Sequence, residues 1–226
     1  MTALGRGVGA AYLSLLLADG RLPSGAHTQS AGVEPALAHG MTTGEVPDYL
    51  RVRLRTVTEV EAATAVVAGR VWSAGAGPDG LAAVDAAWRV RTLSDALREA
   101  SDLLGRSYLR TAAAVCDLRA LSPGGPWCRG VVLGCTAASA GLDATATARL
   151  VGYDDVQTVV SAALKLVPFD PSTGVAWVAA AAGEVEAMVE RVAEAQTAAD
   201  IPAHSAPLIE EWGQRHRTHE RRLFRA

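Results

Sequence analysis

The chain is predicted to be all-α, a single-domain bundle of roughly seven to ten helices ending in a polar C-terminal tail, and three observations predict it. Apolar residues recur at spacings of three and four almost throughout. Its 226 residues are 50% hydrophobic but only 5% aromatic, so the core has to be built from Leu, Val and Ala, which suit packed helices. No run of alternating β-branched residues reads as a strand, and the connections are short and rich in Gly and Pro.

The elements follow in chain order. A short apolar run near the N-terminus leads into LPSGAHTQSAGVE, Leu22 to Glu34, where Pro23 and Gly25 predict a tight turn and Thr28 or Ser30 a cap for the next helix. Val46, Leu50, Leu54, Val57 and Val60 predict one long amphipathic helix, with Thr43 as its cap. GAGPDG, Gly75 to Gly80, is turn chemistry. Ser94 is the N-cap candidate of a helix whose apolar face carries Leu97, Ala100, Leu104, Tyr108, Ala112 and Val115. After the turn SPGGPW, Ser122 to Trp127, a helix is predicted to follow Asp143 and run to Val167, stopped by Pro168. Beyond Pro171, Val175, Val178, Ala182, Val185, Val189 and Val192 give the seam of a helix that packs lengthwise on another. The division expected is a helical domain over 1–197 and a less packed, partner-binding tail over 198–226.

Composition narrows the function. Lys and Arg number 21 against 24 Asp and Glu, a net charge of −3 without a dominant basic stripe, which argues against nucleic acid. Lys165 is the only lysine. Cys116, Cys128 and Cys135 lack the spacing of a zinc ribbon or a disulfide framework and read as small buried residues. No stretch of apolar residues is long enough to span a membrane, and no cleavable leader is evident, so a cytoplasmic protein is expected.

Chemistry-bearing motifs are few. GxxxxGK[ST] and G-x-S-x-G are both absent, so neither a nucleotide hydrolase nor a serine hydrolase is indicated. Ser24, His27, Ser30 and Glu34 lie close in sequence, but a catalytic constellation is a matter of spatial geometry. HRTHE, His216 to Glu220, places His216 and His219 three apart on one helical face, a weak metal candidate and the basis of an alternative reading as a helical metal-binding protein. RRLFRA, Arg221 to Ala226, sets Leu223 and Phe224 among arginines. Such a tail either docks on a partner or folds back on its own domain.

Taken together these segments resemble the urease accessory protein UreF family. Leu22, Pro23, Gly25, Ser30, Gly32 and Glu34 match its N-terminal signature, while Ala26, His27 and Gln29 depart from the commoner Gly, Phe and His. Arg98, Ser101 and Gly105 fall on an Arg-x-x-Ser-x-x-x-Gly pattern, and SAALKLVP places Lys165 and Pro168 on a second. In PLIEEWGQRHRTHERRLFRA the residues Pro207, Glu210, His216, Arg222, Leu223, Phe224 and Arg225 fall on the family's ending, with Arg217 and Ala226 replacing Glu and Ser.

The resemblance implies a non-catalytic maturation factor without a cofactor. Such a protein forms a homodimer, binds UreD (UreH), and with it recruits the UreG GTPase for nickel delivery to apo-urease. It also implies an internal tunnel for nickel, and a tail that becomes ordered on UreD. The signature loop, with Glu34 and His27 as polar contacts, is then a dimer or partner surface. Lys165 either contacts a partner, holds the loop after its helix, or is a snorkelling surface residue.

Overall fold

A computed structural model describes residues 9–121, 125–217 and 223–224. Among these the regular structure is helical, without strands. Nine helices have nine residues or more, and two shorter ones complete the set. In chain order they are α1 (Ala10–Leu17), α2 (Val33–Ala38), α3 (Val46–Leu54), α4 (Val57–Ser73), α5 (Gly77–Arg89), α6 (Asp95–Ala112), α7 (Arg129–Ser139), α8 (Ala144–Leu166), α9 (Pro171–Ala180), α10 (Ala182–Val192) and α11 (Pro207–His216).

Helix α4 is the axis of the bundle. Nearly every residue from Thr58 to Gly69 is buried, which its run of Ala and Val permits on all sides. It packs against α7, α8 and α5, while α6 lies on α7 and α10 covers α8 and α4. Small residues set the closest approach: a Cβ added at Gly134 of α7 would stand 2.1 Å from the Ala65 carbonyl oxygen of α4. The three cysteines are free and buried, as their spacing predicts. Burial pushes the Cys135 thiol up to about 12 and Cys128 well above its usual range.

Several helix ends obey the local signals. Ser94 accepts a hydrogen bond from the Leu97 amide and Asp143 accepts one from Ala146. Helix α8 stops at Leu166, and Val167, forced out of the helical region by Pro168, is extended.

Four expectations are corrected. The long helix through Val46 and Val60 is two helices, because Thr56 leaves the helical region and its hydroxyl bonds back to the Val52 carbonyl. Its entry is capped one residue earlier than expected, by a reciprocal Thr42–Glu45 box on a 3₁₀ turn. The seam from Val175 to Val192 is also two helices, meeting at Ala181, and Val175 is exposed. Finally, the described residues after 197 are not loosely packed. Ile201, Ala206, Ile209, Glu210, Gly213, His216 and Phe224 are buried, since α11 lies between α2 and α6.

Charge is buried with its partner. Arg53 of α3 donates from Nε and Nη2 to the two carboxylate oxygens of Asp155 on α8, at 2.9 and 2.5 Å, and Thr58 adds a third bond at 2.8 Å. Arg129 of α7 bridges Glu61 of α4 and Asp154 of α8 at 2.7 and 2.6 Å. These forks use the bidentate geometry that only arginine supplies.

Candidate functional site: a carboxylate clamp on the C-terminal tail

The signature loop is shaped by its backbone. Gly25 and Gly32 take φ of 88° and 79°, where side chains are disfavoured, and a Cβ on Gly32 would meet the Tyr49 hydroxyl at 2.6 Å. Between the two glycines, Ala26–Thr28 forms one 3₁₀ turn, closed by the Thr28 hydroxyl on the Gly25 carbonyl. Pro23 is tied to α6 by a 2.8 Å bond from Thr111 to its carbonyl. The expected cap by Thr28 or Ser30 is not used: Gly32 is the N-cap of α2 and no side chain caps it.

Ala31 carries the strain of this turn, with φ of 51°. Its carbonyl accepts from both Tyr49 Oη at 2.7 Å and Arg53 Nη1 at 2.9 Å, so α3 holds it, and Asp155 in turn holds Arg53. Burial alone would raise the Asp155 carboxyl, but Arg53 overrides it and keeps the group below the usual carboxylate range. For the neighbouring Asp154 burial outweighs Arg129, and the carboxyl is raised.

The loop delivers Glu34 to the first turn of α2. There one carboxylate oxygen accepts the Leu223 amide at 2.6 Å and the other the Phe224 amide at 2.9 Å. His216, 1% exposed at the end of α11, places Nε2 3.2 Å from Glu34 and 3.2 Å from the Phe224 carbonyl. The Phe224 ring is buried, with Lys165 Nζ 5.4 Å from its centroid, a cation–π geometry. Beside it runs a groove of about 420 Å³ lined by His27, Gln29, Tyr153, Lys165 and Phe224. Three segments far apart in sequence therefore meet at one place: the signature loop, the end of α8 and the tail.

The other motif residues lie elsewhere and brace the bundle. Arg98 donates to the Thr92 carbonyl and pairs with Asp95. Ser101 accepts the Arg129 amide at 2.9 Å, at the start of α7. Gly105 lets α6 approach the Trp127 carbonyl, which a Cβ would meet at 2.2 Å. His219, Arg222 and Arg225 lie outside the described residues. Among the described residues no group of His, Cys, Asp or Glu could hold a metal ion, and His216 is turned into the clamp.

The sequence marks Glu210 only as a match to the family's ending, and it gives no role to Gln214, Tyr49, Arg53 or Asp155. Glu210 of α11 accepts the Ser94 amide at 2.7 Å, and Gln214 accepts from Ser94 Oγ and the Ala96 amide, fastening α11 to the start of α6. Tyr49, Arg53 and Asp155 hold the loop from beneath. A buried polar residue in an apolar helix pattern was the available signal, although it does not name the partner.

The model of the UreF family matches residues 41–182. A urease accessory protein UreF from Mycobacterium sp. (strain JLS) is 36% identical over 222 residues, spanning 93% of this chain and 96% of its own length. The chain belongs to the UreF family of urease accessory proteins. Relatives of the same description from Mycobacterium marinum and Mycobacterium tuberculosis are 34% identical over 215 and 218 residues, with the same coverage. For a UreF-family chain the clamp is notable in its location. Glu34 and the tail both lie outside the stretch that the family model matches, whereas Lys165, which roofs Phe224, lies within it.

Proposed function

We propose that this chain is a non-catalytic scaffold of urease maturation, which with UreD (UreH) recruits and regulates the UreG GTPase so that nickel, the cargo, reaches apo-urease. It works as a homodimer in the cytoplasm. The observation that carries this reading is the clamp: a glutamate, a buried histidine and a lysine hold a two-residue tail segment through its backbone and one aromatic ring. Such an arrangement presents a shaped surface, which suits partner recognition. That none of the helices among the described residues is long and apolar enough to cross a membrane is compatible with this setting.

The test is co-expression with UreD, UreG and urease. Glu34→Ala leaves the Leu223 and Phe224 amides without their acceptor and is expected to lower UreD and UreG recovery in a pull-down, and urease activation at limiting nickel, by about tenfold. Full recovery and full activation by this variant would overturn the role of the clamp. Stoichiometric nickel or zinc binding by the isolated chain in equilibrium dialysis would instead favour a metal-binding protein built on HRTHE.

A further inference from the structure

Beneath the signature loop lies a second space, which shares Ala26, Gln29 and Thr158 with the lining of the tail groove. It is a cavity of about 130 Å³ between the loop and α3, α4 and α8 on one side and α5, α6 and α11 on the other. Its lining has an apolar part, Trp88, Leu97, Leu104 and Ile209, and a polar part that includes Gln29, Thr58, Arg53 and Asp155. Its lining also includes His204, whose side chain is 55% exposed, so small molecules have a way in.

Two features define what would fit. Of the charged groups in the lining, Arg53 pairs with Asp155 and Arg129 with Glu61, while Arg91 is engaged by the Ile201 and Ala87 carbonyls, so an added net charge would find no uncommitted counter-ion. Gln29 differs: it is 92% buried by its 8% exposure, yet the contact its side-chain amide makes is a 3.5 Å approach to the Thr28 hydroxyl. An amide so placed retains capacity both to donate and to accept. The volume compares with the roughly 150 Å³ apolar cavity that accepts benzene in an engineered protein.

We propose that this cavity is a binding site for a small uncharged molecule that has an apolar body of roughly six heavy atoms and one hydroxyl. The body lies on Trp88, Leu97, Leu104 and Ile209, and the hydroxyl pairs with Gln29. Because Gln29 and Ala31 belong to the signature loop, an occupant stabilises the loop conformation that presents Glu34.

The test uses the full chain with phenol and benzene as probes, followed by ligand-observed NMR titration and thermal unfolding. The expected result is one saturable phenol site per chain that raises Tm. Ala100→Leu, which fills the cavity from α6, lowers phenol affinity by about tenfold or more. Gln29→Ala weakens phenol by about tenfold while leaving benzene unchanged. Phenol binding that does not saturate, or that Ala100→Leu leaves within about twofold of wild type, overturns the proposal. If Ala100→Leu loses the wild-type circular dichroism spectrum, Leu104→Ala replaces it: the enlarged cavity is expected to bind the bulkier p-cresol more tightly than the wild type does. Equal or weaker p-cresol binding in that variant likewise overturns the site. These readouts require no urease partner, so their failure leaves the scaffold reading standing, and failure of the scaffold reading leaves them intact.

Discussion

Ala31 shows how one residue's conformation is maintained by others far away in sequence. A left-handed alanine costs on the order of 1–2 kcal/mol, and two donors from α3 converge on its carbonyl to hold it there. One of them, Arg53, is aimed by Asp155, so this carboxylate and Asp154 beside it have different duties. Asp155→Asn leaves a buried guanidinium without its anion and is expected to destabilise the chain by about 3–5 kcal/mol. Asp154→Asn is expected to cost less than about 1 kcal/mol, because Arg129 keeps Glu61 and the lost carboxylate was one whose ionisation burial opposed. The pH dependence follows from sign. The Asp155 group is depressed in the fold, so its contribution is present above its unfolded value of about 4 and is lost as pH falls through the lower folded value. Urea denaturation at a series of pH values checks this: the gap between wild type and Asp155→Asn should be full at pH 7 and shrink under acid conditions.

At the scale of elements, glycine decides how closely helices meet. Gly134 of α7 faces the Ala65 backbone of α4, and Gly105 of α6 faces the Trp127 carbonyl. Backbone cannot swing aside as a flexible side chain can. Gly134→Ala is therefore expected to cost about 1–3 kcal/mol or more by forcing the central helices apart. Gly183 in α10 has nothing within 4 Å of an added Cβ, and Gly183→Ala is expected to stabilise by about 0.5 kcal/mol through helix propensity and a less flexible unfolded chain. Thermal unfolding of the pair should move in opposite directions. The apolar spacing of three and four made α6 and α10 legible, but it singled out neither α7 nor the greater part of α4. The breaks at Thr56 and Ala181 were not legible either, since the periodicity runs on through both and neither residue is a Gly or Pro that would announce an interruption.

Over the whole molecule, the tail closes on the segment that opens the bundle. Phe224 is 4% exposed, and removing Leu223 to Ala226 exposes its seat beside Lys165 and leaves the Glu34 carboxylate without two amides. Burial of a Phe side chain is worth about 1.5–3 kcal/mol, so the deletion is expected to lower Tm by several degrees in a domain of this size. Far-UV circular dichroism should be unchanged, because α11 is fastened independently to α6 by Glu210 and Gln214. Weaker recovery of UreD by the truncated chain is the functional counterpart. Undiminished recovery would confine the tail to a stabilising role within its own domain.

Sequence alone determined the helical class, the cap at Ser94, the stop at Pro168 and the family, because each rests on periodicity, local hydrogen bonding or ordered matches along the chain. It also pointed to Glu34, Lys165, His216 and Phe224, but as separate positions. Only the tertiary structure decided that these four meet, that Arg98, Ser101 and Gly105 brace helices elsewhere, and that the described part of the tail is packed. The physical reason is that a carboxylate accepts any amide within reach. Which amide that is depends on how α2, α8 and α11 pack, a relation between residues up to 190 positions apart that no local spacing encodes.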